Sequence, residues 1–138
     1  MFPRNVTILS TERFIEGGKS SASFENFNLA LHVNDKPENV LANRSILRNH
    51  YNLPSEPVWV NQTHSSICIN ASLNDSLVEA DASFTSKPGV VCGILTADCL
   101  PVFISKKDGA MVGIAHAGWK GLVLGVIEGL IQSFDCNG

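Results

Sequence analysis

A predicted β-hairpin constrains this chain more than any other stretch of its sequence. The dipeptide Asp108-Gly109 separates two apolar runs, 100–105 and 110–116, and Asp-Gly favours the positive φ angles of a type I′ hairpin turn. In an antiparallel pair, the start of one strand lies beside the end of its partner. The hairpin therefore predicts that Cys99, just before the first strand, and His116, at the end of the second, are neighbours.

A third candidate metal ligand lies upstream, where the predicted strand beginning at Val58 leads to His64. If that strand joins the same sheet, two imidazoles and one thiolate meet. Such a set suits Zn²⁺, whose catalytic sites typically have three protein ligands and a water. The bound water is acidified and becomes a nucleophile. Spacing alone leaves the alternative open, because small buried thiols and structural histidines are common.

Composition narrows the classes of function. The 138 residues predict one domain, and a net charge of −3 gives no basic surface for nucleic acid. The chain contains no apolar run of about 18 residues, so no membrane span is predicted. The start of the chain lacks the pattern of a signal peptide, and the four cysteines lack CxxC spacing. We therefore expect a cytoplasmic protein with reduced thiols.

Two helices are predicted. The first begins at Asp35, which forms a capping box with Glu38, and ends before Leu53-Pro54. Its core-facing residues are Val40, Ile46 and Leu47, with Asn43 and Arg44 on the opposite or flanking side. The last helix covers 122–134, with apolar residues at helical spacing, namely Val123, Val126, Ile127, Leu130, Ile131 and Phe134. Strands are predicted at 6–10 and 90–96.

Lys120 and Gly121 precede that last helix, whose N-terminus would attract a phosphate or another anion. A solvated lysine is the alternative interpretation of Lys120. Asp98, beside Cys99, is a candidate for acid–base work.

Four motifs together resemble the signature of the YfiH family. They are Asn61-Gln-Thr-His64, Ala80-Asp-Ala82, Thr96-Ala-Asp-Cys-Leu-Pro-Val102 and His116-Ala-Gly-Trp-Lys-Gly121. The stretch from Asp35 to Asn43-Arg44 resembles the family's N-terminal helix motif. The family was named for a polyphenol oxidase or laccase domain and later assigned as purine nucleoside phosphorylases.

The resemblance implies an α+β fold with mixed, largely antiparallel sheet layers flanked by helices, of the type called cysteine-hydrolase-like. It implies a zinc ion held by His64, Cys99 and His116. It also implies phosphorolysis of adenosine, inosine and methylthioadenosine, with adenosine deamination as a companion activity. Asn43 and Arg44 match positions of the substrate or phosphate pocket, and Lys120 joins Arg44 as a candidate phosphate ligand.

The chain departs from the family in two local positions and in length. Ser65-Ser66 follows His64 where the family usually has glycine, and Asn34 replaces the glycine of a Val-Gly-Asp motif. Family members continue well beyond the predicted last helix, so residues 1–138 are expected to form one C-terminally truncated domain. An unfinished sheet edge would favour self-association into a homo-oligomer.

Three hypotheses follow. The first is a zinc-dependent purine nucleoside phosphorylase or deaminase. The second is a metal-free cysteine hydrolase with Cys99 as nucleophile and His116 as base. The third is a catalytically silent truncated module. Multicopper oxidase chemistry is not expected, because such centres need many imidazoles and the chain has four histidines.

Overall fold

The computed structural model describes residues 2–74 and 77–136. These form two compact units. Leu9–Glu56 is the N-terminal unit, and the residues before and after it form the sheet unit. Within the described ranges, none of the helices combines the length and apolar character needed to cross a bilayer.

The sheet unit is organised around four strands. These are β1 (Cys68–Asn70), β2 (Ala82–Thr85), β3 (Leu100–Ser105) and β4 (Val112–Ala117). Their order is β1-β2-β4-β3, with β1 parallel to β2 and the other two pairs antiparallel. A mixed sheet flanked by helices confirms the predicted α+β class. The strand β3 lies at an edge, which suits Pro101 because an edge strand tolerates a missing N–H.

The predicted hairpin is confirmed, with Leu100 opposite Ala117 and Pro101 opposite His116. The predicted type I′ turn is wrong, because that turn needs two residues with positive φ and of the Asp-Gly pair only Gly109 has one, at +75°. The Gly109 N–H donates to the Lys106 carbonyl at 2.9 Å. The connection is therefore longer than a two-residue turn, but the strand register is the one that places Cys99 beside β4.

The last helical region is two helices rather than one. The short α2 (Trp119–Leu124) and the longer α3 (Val126–Cys136) are separated by Gly125, whose φ of +84° ends the first helix in the left-handed conformation that glycine accepts. The break turns Val123 into an exposed residue. The single apolar stripe predicted over 122–134 is therefore wrong at Val123, and it is also wrong at Ile131, which is exposed.

The helix α3 covers one face of the sheet with its buried residues Val126, Leu130 and Phe134. These pack with Ala82 and Phe84 of β2 and with small residues of β4 in one core cluster. Small residues on β4 are needed because the helix approaches closely. A Cβ atom on Gly113 would lie 2.7 Å from Cδ1 of Leu130.

The N-terminal unit contains α1 (Pro37–His50). Its predicted end before Leu53 is confirmed, and Val40 and Leu47 are buried as expected. Ile46 is only half-buried. The predicted capping box is wrong: the N-cap is Lys36, with no side-chain cap. Asp35 instead accepts hydrogen bonds from Ser20 and Asn28.

Asn43 corrects the predicted face of α1, because it is fully buried. Asn34, which stands where the resembled family has glycine, has a φ of +66°. Asparagine tolerates that conformation better than most residues, so the substitution preserves the turn.

The strands predicted at 6–10, 58–60 and 90–96 are absent from the part of the chain that the structure describes. Their residues are extended without continuous pairing, apart from a single parallel bridge between Val58 and Cys92. Apolar runs alone cannot distinguish such extended segments from strands, because burial and strand pairing favour the same residues.

Candidate metal centre

Three side chains of the sheet unit converge on one point. One ligand atom each from His64, Cys99 and His116 lies within 4.8 Å of the other two. Sγ of Cys99 is 4.0 Å from Nε2 of His64, and the two imidazole centroids are 4.9 Å apart. His64 is exposed, Cys99 half-buried and His116 buried. The cluster therefore reaches solvent on one side, which a ligand or substrate requires.

The local structure explains this convergence. His116 sits in β4 opposite Pro101, and Cys99 precedes β3 by one residue. The Cys99 carbonyl accepts a hydrogen bond from the Thr96 hydroxyl, which closes the loop before the strand. His64 lies in a turn and has a φ of +60°, an uncommon conformation for a residue with a side chain.

Asp81, whose side chain is fully buried, lies beneath both histidines. Its Oδ1 accepts the His64 N–H at 3.1 Å and Nδ1 of His116 at 2.8 Å. Its Oδ2 accepts the N–H groups of Thr63 at 3.1 Å and Ser65 at 2.6 Å, and the Ser65 hydroxyl at 2.8 Å. Burial raises the pKa of Asp81, but the hydrogen bonds from His116 and Ser65 outweigh it and lower the pKa.

Gln62 links the segments that carry His64 and Cys99. Its side-chain NH₂ donates to the Leu95 carbonyl, and its side-chain oxygen accepts the Leu95 N–H, both at 2.7 Å. A paired amide contact of this kind fixes two chain segments as a backbone ladder would. Gln62 and Asp81 both belong to motifs that resemble the YfiH signature, but the sequence alone gives neither residue a role.

Gly118 is packed against the cluster. A Cβ atom there would lie 2.8 Å from Cδ2 of His64 and 3.0 Å from Sγ of Cys99. The side chains therefore fit together only because residue 118 has no side chain. The donor set and this close packing fit a small, soft-to-borderline cation held by nitrogen and sulfur.

We predict that Gly118→Ala lowers zinc affinity by at least about tenfold, because the new methyl group displaces two ligands at once. Competition with a chromophoric chelator measures the change. Gly121→Ala is the matched control: its Cβ would lie 3.3 Å from the Ser65 carbonyl and 3.5 Å from the His116 carbonyl, and its three nearest neighbours include no imidazole or thiol atom. Equal zinc affinity in the two variants would contradict the steric argument.

The Cys99 thiol is not activated by its protein surroundings. Desolvation, followed by the neighbouring Asp98 carboxylate, raises the pKa of the Cys99 thiol. A thiolate nucleophile normally has a lowered pKa. A bound cation would stabilise the thiolate directly, and the metal-free hydrolase stays an alternative hypothesis.

Asp98 and Lys120 are both exposed. Asp98 is the neighbour of Cys99 in the loop before β3. Lys120 lies in the first turn of α2, with its Nζ 5.6 Å from the centroid of the Trp119 ring. Asp98 directly precedes Cys99 in the sequence, and Lys120 follows His116 by four residues. The roles of Asp98 and Lys120 stay predictions.

Asn43 and Arg44 belong to the N-terminal unit. The Asn43 amide donates to Oγ of Ser20 at 3.0 Å and to the Asn28 carbonyl at 2.9 Å. Arg44 donates through Nε and Nη2 to the Leu29 carbonyl at 3.0 and 2.9 Å. Burial lowers the pKa of Arg44. Both side chains thus hold the loops of their own unit, and their part in a substrate pocket stays a prediction.

Comparison with known proteins identifies the family. Residues 7–138 match the family model described as multi-copper polyphenol oxidoreductase laccase, and the chain belongs to this family. A purine nucleoside phosphorylase of Haemophilus influenzae is 41% identical over 135 residues, covering 98% of this chain and 54% of that protein. The purine nucleoside phosphorylase YfiH of Escherichia coli is 40% identical, with coverages of 98% and 55%.

Solved structures agree in fold. Neisseria meningitidis protein NMB0706 has a TM-score of 0.79 and 40% identity, covering 85% of this chain and 48% of that one. YlmD of Geobacillus stearothermophilus has a TM-score of 0.76 and 27% identity, with coverages of 86% and 48%. The YfiH resemblance is thus confirmed, and the chain spans about half the length of the curated relatives it matches.

Proposed function

We propose that this chain carries the zinc centre of a purine nucleoside phosphorylase. The observation that carries the proposal is the convergence of His64, Cys99 and His116, with ligand atoms within 4.8 Å of one another. Relatives about 40% identical are named purine nucleoside phosphorylases, which supports the substrate class. A three-ligand site open to solvent supports a catalytic rather than a structural ion, since structural zinc sites have four protein ligands.

Zinc is proposed over copper on the donor set. Two imidazoles and one thiolate provide a single small site, whereas a multicopper centre needs many more imidazoles than the four histidines of this chain supply. Copper-loaded protein is accordingly expected to lack both an absorption band at about 600 nm and phenol oxidation at enzymatic rates.

The proposed reaction is phosphorolysis of adenosine, inosine or methylthioadenosine. The bond between the anomeric carbon and the purine nitrogen breaks, its electrons leave with the base, and a phosphate oxygen bonds to the carbon. The departing base takes up a proton supplied by the attacking phosphate or by solvent, and Asp98 is the proposed acid–base residue that relays it. Bound zinc would supply a Lewis acid that polarises the attacking group. Adenosine deamination, in which water replaces the amino group, is proposed as a companion activity.

The proposed phosphate ligands are chosen for their positive charge. Arg44 and Lys120 are proposed to hold phosphate, because cationic side chains bind its oxygens through charge-assisted hydrogen bonds. Asn43 is proposed to support the substrate pocket by fixing the loop beside Arg44. We also propose that residues 1–138 act as one YfiH-type domain in the cytoplasm and self-associate through the edge of β3.

We predict that purified protein contains about one zinc per chain and releases base from inosine or adenosine only when phosphate is present. Elemental analysis and chromatographic product analysis test both statements on one sample. Free base with ribose phosphate indicates phosphorolysis, while inosine and ammonia from adenosine indicate deamination. Bound zinc without either product would support the catalytically silent module.

A further inference from the structure

We propose that Asp81 is a positioning residue that orients both histidines of the centre at once. This inference rests on the proposed metal site but concerns a residue that is itself not a ligand. The carboxylate accepts five hydrogen bonds, and its side chain is fully buried. A carboxylate has about four lone-pair sites, so none remains for a metal ion or for proton transfer to substrate.

At the first histidine, Asp81 holds the turn that presents the ring. The N–H groups of three successive residues, Thr63, His64 and Ser65, all point at its two oxygens. His64 is thereby kept at a φ of +60°, a conformation that persists only where the surroundings over-determine it. Ser65, which stands where the family usually has glycine, adds a hydroxyl contact at 2.8 Å. The carboxylate therefore sets the direction of the His64 side chain.

At the second histidine, Asp81 sets the tautomer. An ionised carboxylate only accepts hydrogen bonds, and four other donors already point at this one. Nδ1 of His116 must therefore carry the proton, at 2.8 Å from Oδ1. This leaves Nε2 as the ring nitrogen whose lone pair can bind a metal ion, and an outer carboxylate also makes the ring a stronger ligand.

The position of Asp81 in the sheet makes this arrangement rigid. The Asp81 carbonyl accepts the His116 N–H at 2.7 Å, and its own N–H donates to the Ile67 carbonyl at 3.0 Å. Backbone and side chain of the same residue thus hold His116 from two directions. The alternative interpretation, a merely structural buried acid, predicts loss of stability but no specific change at Nδ1.

The first test uses metal-free protein, so that it is independent of the proposed function. Asp81→Asn keeps its amide oxygen for the three donors at the Oδ2 position, from Thr63 N–H, Ser65 N–H and the Ser65 hydroxyl. Its NH₂ group then faces Nδ1, which would force the proton of His116 onto Nε2. NMR of nitrogen-labelled histidine side chains at about pH 8, above the ordinary histidine pKa, reports the tautomer. We expect the Nδ1–H form in the native protein and the Nε2–H form in the variant. An unchanged tautomer would overturn the inference.

The second test measures zinc affinity by chelator competition. Asp81→Asn is expected to weaken binding by about 10- to 100-fold, the usual effect of losing an outer-shell partner. Glu79→Gln is the matched control, since Glu79 accepts a hydrogen bond from the Thr63 hydroxyl at 2.9 Å but touches no ligand; it should leave the affinity unchanged. Equal affinity in Asp81→Asn and native protein would refute the proposal.

Ser65→Ala keeps the proposal testable if Asp81→Asn does not fold. It removes the hydroxyl contact to Oδ2 but not the contact to His116, so zinc affinity should fall by a smaller factor with the His116 tautomer retained. No loss of affinity in this variant would refute the role of Asp81 at the turn. A native protein that binds no zinc but shows the Nδ1–H tautomer would refute the proposed function alone.

Discussion

Replacing Cys99 with alanine is expected to abolish stoichiometric zinc binding. Loss of an outer-shell partner costs about 10- to 100-fold in metal affinity, and loss of a direct thiolate ligand costs more. Two imidazoles remain, one exposed and one buried, and two ligands do not make a stable zinc site. We therefore expect an affinity loss well beyond about a hundredfold, measured by elemental analysis after gel filtration and by chelator competition.

Cys136→Ala is the control for Cys99→Ala, because Cys136 is an exposed thiol at the end of α3, outside the cluster. It should keep native zinc content. Full zinc in Cys99→Ala would show that the ion binds elsewhere. Zinc-free native protein whose Cys99 reacts rapidly with iodoacetamide near neutral pH would instead favour the cysteine hydrolase, and would do so despite the raised pKa of the thiol.

Local structure determines one part of the centre, the pairing of Cys99 with His116, whereas the third ligand, His64, comes from a separate upstream segment. Cys99 and His116 are joined by a hairpin, and a turn signal between two apolar runs is enough to bring them together. Asp81 was not foreseen as the common hydrogen-bond partner, because its contacts to residues 63–65 and to His116 connect three distant stretches. The sequence signal for Asp81 is an acidic residue between two alanines. If such a residue is buried, it needs partners, since an unpaired carboxylate is rarely buried.

The errors in the fold have a similar origin. The apolar spacing of the last helix runs through Gly125, and periodicity does not register that a glycine takes a φ of +84° there. The sequence places Asn43 on the opposite or flanking side of α1 from the core, yet Asn43 is buried and its amide is satisfied by loop groups of its own unit. Long-range partners of this kind decide the burial of a polar side chain, and a single sequence does not contain them.

Leu130→Ala is expected to be the most destabilising single substitution outside the centre. Leu130 is fully buried and packs with Val126 and Phe134 against the sheet. Truncating such a leucine costs about 3–5 kcal/mol, a large share of the roughly 5–15 kcal/mol that stabilises a typical domain. Urea unfolding gives the free energy of unfolding. Ile131→Ala, one position along and about half exposed, should cost about 1 kcal/mol or less.

A double-mutant cycle tests whether the close approach of Leu130 to Gly113 couples the stabilities of the two positions. Gly113→Ala alone should destabilise by about 1–3 kcal/mol, because its Cβ would lie 2.7 Å from Cδ1 of Leu130. In the double variant that atom is gone, and the new methyl group occupies part of the cavity. The double variant should therefore lose less than the sum of the single losses, by about 1 kcal/mol. Strict additivity would mean that the other close contacts of the new methyl group, with Cε1 of Phe134 and with the Ser83 carbonyl oxygen, both at 3.1 Å, control how closely α3 packs on β4.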